Sequence, residues 1–172
     1  MAGSAQLSYN LDSVPLPTSV QSFDLNPGPV PISLQSLMVL LAGAFLGPVR
    51  GMLAVVIYIA AGAAGLPVFA DGHGGWERLT GPTGGYLLGF VPAALLTGLL
   101  AERASDRTYR AALGILLGGH AIIFLFGVSY LSRFTGGQSA FFKGLVPFLP
   151  GAALKSLLGA LAMILWKRRP LA

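Results

Sequence analysis

Five stretches of this chain are almost free of charge: Pro31 to Gly47, Gly51 to Pro67, Gly84 to Ala101, Ala111 to Ser132, and Gly144 to Trp166. Crossing a bilayer takes about 20 mostly apolar helical residues, and within it every backbone amide has to be paired inside the segment. The runs therefore predict an all-α, polytopic membrane helical bundle of five spans, the first of them short. Only 10% of the 172 residues are charged, against about 25% in soluble domains. A chain of this length is one membrane domain, with no room for a separate soluble enzyme domain. Residues 1–30 are polar and broken by Pro15, Pro17, Pro27 and Pro29. They are expected to form an extracytoplasmic N-terminal segment ahead of a single transmembrane domain over 31–172.

The basic residues orient the spans. Arg50 follows the first run, Arg103, Arg107 and Arg110 follow the third, and Lys167, Arg168 and Arg169 follow the fifth. These alternate ends share one side, and the positive-inside rule makes it cytoplasmic. The C-terminus then lies inside the cell, while the N-terminus, the loop after the second run and a polar loop over 133–143 lie outside. The net charge of +5 accordingly reads as a topology signal and not as a nucleic-acid footprint. Pro48, Arg50 and Gly51 are expected to make a tight turn. The last helix is expected to open at Pro150, since proline suits a first helical turn. Gly43 with Gly47, Gly85 with Gly89 and Gly114 with Gly118 are GxxxG pairs, which let helix backbones approach closely; packing within the chain is preferred to dimerisation.

Between the second and third runs, Gly65 to Phe90 reads GLPVFADGHGGWERLTGPTGGYLLGF. A flexible linker is Gly/Ser-rich and polar. This segment instead interleaves its glycines with Leu66, Val68, Phe69, Trp76, Leu79 and Tyr86. A folded loop facing a ligand is the reading preferred over a linker. Trp76 and Tyr86 offer apolar bodies with polar tips, suited to closing over a small organic molecule.

Lys155 is the one charged residue inside an apolar run, and an ionisable group there points to function. Little more than a turn from the outer end of its helix, it either snorkels outward or joins the helix N-terminus in an anion site. His120, in mid-run, reads as a buried, hydrogen-bonded histidine. With His73 the only other histidine and no cysteine, no metal site is expected. GAALKS, from Gly151 to Ser156, lacks the second glycine of a phosphate loop. No HExxH, GxSxG or intramembrane carboxylate pair occurs, so a catalytic role finds no constellation. A substrate-binding membrane protein without its own energy source is the reading that remains.

PGPVPISLQSLMVLLAGAFLGPVRG, GLPVFADGHGGWERLTGPTGGYLLGF and PFLPGAALK together resemble the biotin-specific S component of energy-coupling factor (ECF) transporters, the BioY family. The resemblance runs from about residue 28 to the C-terminus. It implies capture of biotin at the outer face of the cell inner or plasma membrane, with no cofactor. The implied partners are a transmembrane coupling protein and two ATPase subunits. It implies a pocket formed by Gln35, Phe69, Gly74, Gly75, Trp76, Thr83, Gly84, Gly85, Tyr86 and Lys155. Lys155 would hold a polar end of biotin, by charge most simply the carboxylate. The family's last helix opens with PGD, two apolar residues and Lys, and both charged residues are linked to biotin. Lys155 matches, but Ala152 occupies the aspartate position. The family has six helices, and the first is expected to be absent from this chain. An S component for another small vitamin, or a membrane assembly subunit without a ligand, are the alternative expectations.

Overall fold

The computed structural model describes residues 33–104 and 108–167. The expectation for residues 1–30, and those for Arg107, Arg168 and Arg169, lie outside the described residues. The rest is all-α, as expected. In chain order the helices are α1 (Gln35–Leu46), α2 (Pro48–Ala63), α3 (Glu77–Thr80), α4 (Gly84–Arg103), α5 (Tyr109–Thr135), α6 (Gly137–Gly144) and α7 (Leu149–Lys167). Single 3-10 turns at Ala70–Gly72 and Val146–Phe148 precede α3 and α7. Three helical segments, Gly84–Arg103, Tyr109–Thr135 and Gly137–Trp166, are long and apolar enough to cross a membrane. The apolar α1 and α2 are shorter. At 1.5 Å per residue, the 12 residues of α1 reach only ~18 Å of a ~30 Å hydrocarbon core.

Helix α4 is the axis of the bundle, packed against α1, α2 and α5, while α7 lies against α5 and α1. Small residues permit this. A Cβ on Gly43 would lie 2.2 Å from the Ala94 carbonyl oxygen, one on Gly51 2.6 Å from the Gly43 Cα, and one on Gly98 2.5 Å from the Pro48 Cα. The three glycines thus bring the backbones of α1, α2 and α4 into contact at one crossing. Gly85 and Gly89 do the same between α4 and α5, where added Cβ atoms would meet Tyr130 and Phe126. Lipid offers helices little hydrophobic drive to associate, so close backbone packing supplies the attraction. Large apolar side chains point the other way: Leu53, Ile57, Leu125, Leu154, Leu158 and Leu161 are exposed. This is the surface of a chain dissolved in lipid, not in water.

Several local expectations are corrected. Pro48 does not sit in a turn but opens α2 at its first position, where its missing N–H costs no helical bond. The reversal is compressed into Gly47, whose φ of 85° favours glycine. The 133–143 stretch is not a loop. Helix α5 continues to Thr135, Gly136 (φ 79°) breaks it, and α6 follows at once. Polarity suggested a loop there, yet nothing from Arg133 to Thr135 interrupts a helix, and α6 buries Ala140 and Gly144 against the bundle. Helix α7 begins at Leu149, one residue ahead of Pro150. Of the GxxxG pairs, Gly47 serves the turn, and neither Gly114 nor Gly118 has anything within 4 Å of an added Cβ.

Candidate functional site

The glycine-rich loop is a folded object. Its backbone returns onto the end of α2 through a hydrogen bond from the Gly75 N–H to the Gly62 carbonyl (2.7 Å), and it closes on itself from the Phe69 N–H to the His73 carbonyl (2.9 Å). Asp71, Gly72 and Gly75 take positive φ of 60°, 69° and 101°; glycine supplies that backbone without steric cost, and aspartate tolerates it. Two distant side chains pin the loop's first half. Gln35 Nε2 and Tyr58 Oη both donate to the Val68 carbonyl, at 3.2 and 3.0 Å. The next residue, Phe69, is thereby held inward, edge-on to Tyr58 at a centroid distance of 5.7 Å. Its ring lies over Gly62, where an added Cβ would be 2.2 Å from its Cζ.

Beneath the loop lies a cavity of about 740 Å³, open solvent at its mouth included. Ser33, Gln35 and Ser36 at the start of α1, Phe69 and Ala70 of the loop, and Arg78 of α3 form one side. Thr83, Tyr86, Leu87 and Phe90 from α4, His120, Ile123 and Phe124 from α5, Phe148, and Ala152 and Lys155 from α7 complete it. Aromatic and aliphatic surface dominates. Arg78 and Lys155 are the cations of the wall, and no acidic side chain lines it among the described residues. The described residues hold no group of three metal-ligating side chains.

Of the residues expected at a pocket, Gln35, Phe69, Thr83, Tyr86 and Lys155 line this cavity; Gly74, Gly75, Trp76, Gly84 and Gly85 do not. The four glycines act on the backbone. An added Cβ on Gly74 would meet the Leu66 carbonyl at 2.3 Å and one on Gly84 the Leu79 carbonyl at 1.8 Å. Trp76 is 66% exposed, at the N-terminal end of the short α3. Arg78, Ser33, Ser36, Phe124 and Phe148 line the cavity beyond the residues expected there. His120 is buried and hydrogen-bonded, as expected, and lines the cavity as well. The PFLP stretch around Phe148 and the arginine inside a glycine-rich loop were the available signals.

Lys155 Nζ donates to the Ser33 carbonyl and to Ser36 Oγ at 3.3 Å. An ammonium has three donors, so one remains for a ligand. This ties α7 to the start of α1 across the cavity. Thr83 Oγ1 donates to the Arg78 carbonyl at 3.1 Å, fastening α3 to α4. Tyr86 presents its ring, while its hydroxyl donates to the Gly144 carbonyl at 2.8 Å. We expect Tyr86→Phe to cost about 1 kcal/mol of stability and leave ligand affinity unchanged, because the ring is what faces the cavity. Denaturation in detergent alongside a binding titration checks both halves.

His120 is 3% exposed. Its Nδ1 lies 3.1 Å from both the Leu116 carbonyl and Ser156 Oγ, and its Nε2 has no partner among the described residues. A buried polar atom left unpaired costs about 1–3 kcal/mol.

A lidded apolar cavity with two cations, set among membrane helices, is a site for a small anionic or polar organic molecule. The family model described as the BioY family matches residues 2–170. The chain belongs to the BioY family. The match extends further toward the N-terminus than the motifs that carried the resemblance. A probable biotin transporter BioY of Pyrococcus horikoshii is 40% identical over 82% of this chain and 81% of its own length. The biotin transporters BioY of Thermotoga maritima and Rhizobium etli are 41% and 38% identical, covering 82% and 77% of this chain and 83% and 75% of theirs. The crystal structure of an S-component for biotin from an ECF-type ABC transporter superposes with a TM-score of 0.76 at 29% identity, covering 83% of this chain and 78% of that one. BioY is thus a family of multi-pass membrane transporters, not of enzymes, and this chain shares its S-component fold.

Proposed function

We propose that this BioY-family chain captures biotin and serves as the substrate-binding S component of an ECF-type ABC transporter. The observation that carries the reading is Lys155. Half-buried in a membrane helix, it keeps a donor in hand at the wall of a cavity otherwise lined by Phe69, Tyr86, Phe90 and Phe124. Biotin has an apolar body, a carboxylate and a ureido group. Lys155 holds one polar end, and Arg78 is the second cation within reach of the other. The glycine-rich loop lids the site, with Gly74, Gly75, Gly84 and Gly85 setting its shape.

The five helices α1, α2, α4, α5 and α7 are the spans. Loop and cavity open to the outside, and the C-terminus is cytoplasmic, in accord with the basic residues at alternate ends. As an S component the chain would work with a transmembrane coupling protein and two ATPase subunits, which supply the energy for uptake. The protein purified in mild detergent should bind biotin in a calorimetric titration at one site. A flat titration, with no biotin released on denaturing the purified protein, would overturn the assignment. Ala152 on the cavity wall favours one second reading, an S component for another small vitamin. Competition of labelled biotin against riboflavin and thiamine separates the two.

A further inference from the structure

We propose that His120 is the cavity's hydrogen-bond acceptor for a ligand N–H, receiving a ureido N–H of biotin on Nε2 where Ala152 offers no polar group. The inference rests on the biotin reading above and assigns which end of the molecule lies deepest. We assign the ring proton to His120 Nδ1, 3.1 Å from the Leu116 carbonyl, which can only accept, while the Ser156 hydroxyl at the same distance can meet either tautomer. Nε2 then bears a lone pair. It is buried and unpartnered among the described residues, on a ring that borders the cavity. Ser156 Oγ, also at 3.1 Å from Nδ1, fixes the ring from the neighbouring helix.

Several acceptors elsewhere on the wall are already engaged: the Ser33 carbonyl and Ser36 Oγ take Lys155, Gln35 Oε1 takes the Ser33 hydroxyl, and no carboxylate lines the wall among the described residues. Ala152, Lys155 and Ser156 stand at i, i+3 and i+4 on α7, hence on one face. The contact from Ser156 to His120 brings the ring to the level of Lys155. A cationic donor and a neutral acceptor side by side match a group with a carbonyl oxygen next to N–H. A ureido ring has both, whereas a carboxylate has no N–H to give.

The chain has two histidines, so the imidazole nitrogens of the full protein, labelled with nitrogen-15 and reconstituted in nanodiscs, can be assigned with one His73→Asn variant. An unprotonated Nε2 of His120 whose resonance moves upfield on saturation with biotin is the expected result. A protonated Nε2, or a resonance that biotin leaves in place, overturns the inference while the biotin reading stands. Absence of biotin binding by the unaltered protein overturns both. A second measurement compares biotin with its N,N′-dimethyl ureido analogue. In the unaltered protein methylation should weaken binding about tenfold or more, the loss of one well-made hydrogen bond, and in His120→Phe the penalty should shrink. An equal penalty in both proteins overturns the assignment. Because the nanodisc spectra use the unaltered ring, a His120→Phe variant that fails to fold does not remove the test.

Discussion

Lys155→Ala is expected to weaken biotin binding by about 1.5–3 kcal/mol, roughly 10- to 150-fold in Kd, as a charge-assisted hydrogen bond is lost. The size of the effect follows from the setting. Lys155 is half-buried on α7 and already gives two of its three donors to the Ser33 carbonyl and Ser36 Oγ. In the proposed complex its remaining donor meets the ligand in a low-dielectric cavity, where such a bond is stronger than in water. The substitution also frees the start of α1, so part of the loss comes from a looser wall. Lys155→Arg separates the contributions: it keeps the charge but changes donor geometry. Calorimetric titration of both variants, with thermal unfolding of the ligand-free proteins, provides the check. A Kd for Lys155→Ala equal to that of the unaltered protein would remove Lys155 from the site.

The second large effect concerns the bundle itself. Gly43→Val should destabilise the protein by on the order of 3 kcal/mol. The new Cβ would lie 2.2 Å from the Ala94 carbonyl oxygen, a backbone atom that no rotamer change can move aside. Helix α1 would have to withdraw from α4, and with it the contact that Gly51 of α2 makes with Gly43. Because α1 also carries Gln35 and Ser36, biotin binding should fall with stability. Gly114→Val is the control. Nothing lies within 4 Å of its Cβ, and a change of about 0.5 kcal/mol or less is expected. Equal unfolding temperatures for the two variants would show that the α1–α4 crossing is not the close backbone contact described.

Much of the fold was legible because each long helix announces itself locally. An apolar run of spanning length has few options in a bilayer, and α4 and α5 lie where the runs predicted them. The errors fall where polarity was read as structure. The residues after Ser132 are polar, yet they continue α5 and then form α6, since a helix ends at a backbone break such as Gly136 and not at a change of hydropathy. Pro48 was read as a turn because proline and glycine are close together there, whereas the reversal needs only Gly47.

The sequence alone determined the membrane helical class, the folded nature of the loop from Gly65 to Phe90, the family resemblance and the candidacy of Lys155, which lines the cavity. Each is a local property, written in apolar runs, glycine density or one charge out of place. Only the tertiary structure decided which side chains share the cavity. Phe69 turns inward because Gln35 and Tyr58, 33 and 10 residues from Val68, both bond the Val68 carbonyl. Trp76, in the same loop, faces outward. His120 is the buried, hydrogen-bonded histidine that its place in an apolar run predicts, but only the packing of α7 on α5 brings Ser156, 36 residues on, to its Nδ1. Helical periodicity says which residues share a face of one helix. Which face of another helix it meets depends on close backbone crossings such as the one at Gly43, Gly51 and Gly98, and those form only when the whole chain is packed.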